Sequence, residues 1–137
     1  MTPLTWVAFV LAGAAGAVVR VLVADLLSSG GAVAPAGAGD PGVGEPPFPW
    51  GTFVVNASGS LLLGVITGLA LYHGFPKAPR LVLGTGFCGA YTTFSTFSVE
   101  TVDLLATGAL RAAWRNALAT LVVCAGAAAL GLALAAV

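Results

Sequence analysis

The sequence predicts an all-α membrane protein of four transmembrane helices, the third broken in its middle. Two observations predict it. Of the 137 residues, 58% are hydrophobic and only 7% are charged, against roughly 25% charged in a soluble globular domain. Four stretches also supply the roughly 20 apolar residues that a spanning helix needs, and together they organise residues 1–137 as a single transmembrane domain. The same composition excludes two function classes. Five basic residues balance five acidic ones, which leaves no excess charge to attract nucleic acid, and no length remains for a soluble catalytic domain.

The first span, residues 4–27, follows Pro3 and carries Arg20 and Asp25 towards its far end. Its start lacks the basic flank of a secretory signal, so it is read as retained. Gly13 and Gly16 give it a smooth face. Residues 28–49 then hold six glycines (30, 31, 37, 39, 42, 44) and five prolines (35, 41, 46, 47, 49), the composition of a flexible loop. The second span, 50–72, is bounded by the interfacial aromatics Trp50 and Tyr72 and carries a Gly64/Gly68 pair at GxxxG spacing, which argues for close helix association. A short connection marked by Pro76 and Pro79 makes spans two and three antiparallel neighbours. The fourth span, 114–137, is rich in Ala, Leu, Val and Gly.

The third span, 81–106, is where chemistry is expected. Gly84, Gly86 and Gly89 lie within six residues, followed by a run of Thr92, Thr93, Phe94, Ser95, Thr96, Phe97 and Ser98. Such a run weakens an α-helix and leaves carbonyls without intrahelical partners. At membrane depth that is tolerated only inside protein or along a cavity. Freed carbonyls would suit a monovalent cation; a kink stabilised by Thr side chains is the alternative. Phe94 and Phe97, three apart, share one helical face. They are either core residues or rings whose positive edges favour a small anion. Asn56 brings an amide into the second span at a depth where a polar group must be satisfied or useful. Asn116, Thr120 and Cys124 recur every four residues, as a pore stripe or as helix-to-helix glue. Asn56, the Thr/Ser run and Thr120 together outline an uncharged, donor-rich track. Small anions need such donors, because stripping their water costs tens of kcal/mol.

Enzymatic and metal-ligating constellations are missing from the sequence. His73 is the single histidine, at a helix end, so no Ser-His-Asp triad can be built. Cys88 and Cys124 lie in separate spans with no zinc-like spacing, and a disulfide is not expected. Topology signals are balanced. Lys77 and Arg80 fall on one side, Arg111 and Arg115 on the other, with Arg20 adding weakly to the second. That split gives the positive-inside rule almost nothing to act on. Either the chain inserts both ways up, which favours an antiparallel dimer with its two-fold axis in the membrane plane, or a partner or the first helix sets one orientation.

The stretch Gly86-Phe87-Cys88-Gly89-Ala90-Tyr91-Thr92-Thr93-Phe94-Ser95-Thr96-Phe97-Ser98-Val99-Glu100 resembles the signature of the Fluc (CrcB-like) fluoride channels. Gly16-Ala17-Val18-Val19-Arg20 and Asn56-Ala57-Ser58-Gly59-Ser60 extend the resemblance over nearly the whole chain. It implies an antiparallel, dual-topology homodimer in the plasma (inner) membrane with two fluoride pores, passively exporting fluoride and so lowering its cytoplasmic concentration. It implies Phe94 and Phe97 as pore phenylalanines and Asn56 as the pore asparagine. Thr93, Ser95, Thr96 and Thr120 belong to the polar track, and Arg20 to an aqueous vestibule. It further implies that the Gly89 and Thr92 carbonyls of each subunit cage a structural sodium ion on the dimer axis. Ala90 stands where the family often has a second glycine. A proton-coupled small multidrug exporter is the alternative with the same layout, but such exporters resemble one another in a membrane-centred glutamate on the first helix. Here no carboxylate precedes Asp25 in that helix.

Overall fold

The computed structural model describes residues 2–28 and 46–137. Among the described residues every regular element is helical: α1 (Pro3–Ser28), α2 (Trp50–Tyr72), α3 (Lys77–Arg80), a π-helical segment (Leu81–Cys88), α4 (Gly89–Tyr91), α5 (Phe94–Ala106) and α6 (Leu110–Leu134). Three of them, α1, α2 and α6, are long and apolar enough to cross a membrane. The third expected span, 81–106, contains no single helix of that length. It is helical on both sides of an extended Thr92–Thr93 step, with Thr92 at φ −76°, ψ 159° and Thr93 at φ −145°, ψ 116°. Of the expected 28–49 loop, residues 29–45 lie outside the described residues.

Helix ends follow local chemistry. Pro49 precedes α2 and Pro76 precedes α3, positions where a missing or unneeded amide does no harm. At the end of α5, Gly108 takes φ +77°, which a residue with a Cβ rarely adopts. The Gly108 and Ala109 amides then donate back to the Leu105 and Leu104 carbonyls, closing the helix in a Schellman motif. The chain turns there within three residues, so α6 starts at Leu110, ahead of the expected Trp114. Arg111 and Arg115 therefore belong to its first turns.

Packing is set by small residues. On α2, a side chain added at Gly64 would run into the Ala128 carbonyl of α6, and one at Gly68 would meet the Ala135 methyl at 2.6 Å. A Cβ on Gly131 of α6 would in return run into the Leu61 carbonyl and lie 2.8 Å from the Val65 amide nitrogen. The GxxxG pair of α2 thus has its partner within the chain. In membranes, where apolar surface alone gives no preference for protein over lipid, such backbone approach is what holds helices together. The α1 helix packs similarly on the glycine-rich segment: Gly16 faces the Phe87 carbonyl, and a Cβ on Gly86 would lie 3.0 Å from the Phe9 carbonyl. The long α1 and α6 helices still expose Val10, Leu22, Leu121 and Val122. Among the described residues the largest fully buried side chains are Val55, Cys88 and Asn116, and one of them is polar. At the membrane edge, His73 Nε2 donates to the Ala135 carbonyl at 2.8 Å, tying the end of α2 to the end of α6.

Candidate functional site

The break between α4 and α5 is held by α2. Asn56 is 9% exposed. Its Nδ2 donates to the Thr93 carbonyl at 3.0 Å, and its Oδ1 accepts from the Thr93 amide at 2.8 Å. One side-chain amide therefore satisfies both polar groups of the residue at the break, as burial demands. Two neighbours complete the grip. The Ser58 hydroxyl lies 2.9 Å from the Tyr91 hydroxyl, and Gly59 is pressed so closely on the Thr92 methyl that a Cβ there would collide with it. Residues 91, 92 and 93 are thus each held by α2.

Carbonyl availability follows from the same bonds. In an unbroken α-helix the Gly89 carbonyl accepts from the Thr93 amide, and the Thr92 carbonyl from the Thr96 amide. Here Thr93 N–H donates to Asn56. Thr96 N–H donates to Thr93 Oγ1 at 3.2 Å, the N-cap of α5. The Cys88 carbonyl, in contrast, accepts from both the amide and the hydroxyl of Thr92, each at 3.0 Å. Gly89 is exposed, with open space where a side chain would stand. Among the described residues no three His, Cys, Asp or Glu side chains cluster, and the Gly89 and Thr92 carbonyls at the break are hard oxygen donors.

Hydroxyls continue from the break along α5. Thr93 Oγ1 lies 3.2 Å from Ser95 Oγ and 2.9 Å from Thr96 Oγ1. Thr93, Thr96 and Thr52 line a cleft of about 260 Å³ with Arg20 and Asp25 of α1. The arginine singled out in the sequence therefore faces the same opening as the Thr run, with a carboxylate five residues on. Phe94 and Phe97 stand with ring centroids 5.8 Å apart and planes tilted by 44°. Phe94 is 80% exposed, whereas Phe97 is half-buried.

Thr120 lies in a different network. Its hydroxyl donates to Asn116 Oδ1 at 3.5 Å, Asn116 Nδ2 donates to Thr101 Oγ1 at 2.9 Å, and Thr101 Oγ1 donates to the Phe97 carbonyl at 2.7 Å. Asn116 thus joins α6 to α5 beneath Phe97 with Thr120 behind it on α6, and Cys124 carries a free thiol one turn further on. One pairing escaped the reading of the sequence. Thr52 Oγ1 donates to Glu100 Oε1 at 2.6 Å, while Glu100 Oε2 is buried with no hydrogen-bond partner among the described residues. Spacing held the signal: Thr52 is four residues before Asn56 and Glu100 three after Phe97, so each shares a helical face with its neighbour.

Comparison with known proteins adds a family match. Residues 7–132 match the family described as CrcB-like protein, Camphor Resistance. A protein of Leifsonia xyli subsp. xyli, named fluoride-specific ion channel FluC 1, is 42% identical over 96% of this chain and 87% of its own length. One of the same name from Symbiobacterium thermophilum is 47% identical over 83% of each chain. A FluC protein of Nitrobacter winogradskyi is 45% identical over 60% of this chain and 66% of its own.

Proposed function

We infer the function from one premise: the chain belongs to the CrcB-like protein family. It is a fluoride-specific ion channel, a multi-pass membrane protein and not an enzyme. The observation that carries the mechanism is the run of hydroxyls from the Arg20 cleft to the helix break. A fluoride ion entering there meets a guanidinium at the mouth and Thr96, Ser95 and Thr93 hydroxyls beyond it. Donors placed in series replace water without a full positive charge to trap the ion. Asn56 commits one N–H to Thr93 and keeps a second to offer. Phe94 and Phe97 present ring edges, whose partial positive charge suits a small anion. Thr120 stands outside this run of hydroxyls and reaches α5 only through Asn116 and Thr101. Conduction is passive, down the electrochemical gradient.

The working unit in this reading is an antiparallel, dual-topology homodimer in the inner membrane. Balanced Lys/Arg flanks support it, as does Phe94, which carries an aromatic ring at 80% exposure beside exposed hydroxyls. A second copy would cover that surface and complete each pore. A structural sodium ion fits the Gly89 and Thr92 carbonyls, since both have lost their helical amide donors and Gly89 faces open space. Held there by the Gly89 and Thr92 carbonyls, such an ion would supply positive charge to their dipoles.

Expression in a fluoride-sensitive bacterium that lacks its own fluoride exporter tests the reading. Growth should extend to higher external fluoride at unchanged chloride tolerance; no gain, from protein shown to reach the membrane, contradicts export.

A further inference from the structure

We propose, resting on the sodium reading above, that Asn56 and Thr93 are positioning residues for the cation site, each making one carbonyl available by capturing the amide that would otherwise occupy it. Asn56 takes the Thr93 amide from the Gly89 carbonyl, and Thr93 Oγ1 takes the Thr96 amide from the Thr92 carbonyl. The two captures are linked, because the Asn56 amide also fixes the Thr93 carbonyl and so sets the orientation of the residue whose hydroxyl makes the second capture. The Cys88 carbonyl shows the contrast. It lies one residue before Gly89 and is doubly served by Thr92, so it stays out of the site.

The consequence reaches beyond structure. The residues assigned to the anion track also frame the cation site, so sodium affinity is set by side chains that never touch the ion. Asn56→Ala frees the Thr93 amide to return to Gly89. Thr93→Val removes the Oγ1 acceptor at nearly constant shape and frees the Thr96 amide. Thr93→Ser keeps that acceptor.

The test is thermal unfolding of the purified protein in detergent, followed by the fluorescence of Trp6, Trp50 and Trp114, titrated with sodium chloride against N-methyl-D-glucamine chloride. Wild type is stabilised as sodium rises. Asn56→Ala and Thr93→Val are expected to need roughly 10- to 100-fold more sodium for the same shift, the usual effect of removing a group that orients a metal ligand. Thr93→Ser titrates like wild type. Variants that assemble normally and titrate with wild-type sodium affinity overturn the proposal while leaving the sodium site standing. A wild type indifferent to sodium removes the site itself, and the proposal with it. Should Asn56→Ala fail to assemble, the Thr93→Val and Thr93→Ser pair decides alone.

Discussion

Phe94 and Phe97 sit on the first turn of α5, next to the hydroxyls of Ser95 and Thr96. Exchanging either ring for isoleucine keeps apolar bulk and removes the polarised ring edge, an electrostatic effect taken as comparable to that of an aromatic pair, about 0.5–1.5 kcal/mol. Fluoride flux through Phe94→Ile or Phe97→Ile is therefore expected to fall by roughly two- to tenfold, with elution of the assembled protein on size-exclusion unchanged. Unchanged flux in both variants would remove the ring edges from the mechanism. At Glu100 the prediction concerns stability. Thr52→Val removes the hydroxyl that serves Oε1 and leaves a half-buried carboxyl without that bond, at a cost of about 1–3 kcal/mol. Thermal unfolding in detergent measures it, and Thr52→Ser should restore the loss.

At the scale of elements, the α2–α6 seam makes the sharpest contrast between glycines. Gly64→Leu forces a side chain into the Ala128 carbonyl, and overpacking of that kind costs about 1–3 kcal/mol or more. Gly126 lies on the same helix as Ala128 with nothing near its missing Cβ. Gly126→Ala is therefore expected to be neutral or to stabilise α6 by up to about 1 kcal/mol. Parallel melts of the two variants check the seam; equal effects would contradict it. Elements were legible in the sequence where apolar length decided them: α1, α2 and α6 are each long apolar runs. The glycines and hydroxyls of 84–98 also announced a break. Its position at Thr92–Thr93 was not legible, because the deciding bond comes from Asn56, 37 residues earlier in the chain. The start of α6 was missed for a local reason. Arg111 read as a turn residue before a span starting at Trp114, whereas the tight Gly108 turn after Ala106 lets the helix resume at Leu110. The Asn116 and Thr120 stripe was visible, but only tertiary contact shows that Asn116 reaches Thr101 of α5.

For the whole molecule, one chain leaves its most informative surfaces open. Phe94 is exposed, Gly89 faces open space, and the outer faces of α1 and α6 are apolar. A lipid bilayer accounts for the apolar outer faces of α1 and α6, and the exposed Phe94 and Gly89 are the surfaces that the proposed second copy would cover. Family membership, the hydroxyl run and the Asn56 clamp converge on selective passage of a small anion. The most direct measurement is anion efflux from liposomes holding the purified protein, followed with fluoride and chloride electrodes in the same vessel. Rapid fluoride release with chloride retained is the expected result; release of both ions, or of neither from a folded and reconstituted protein, would contradict a fluoride-selective pore.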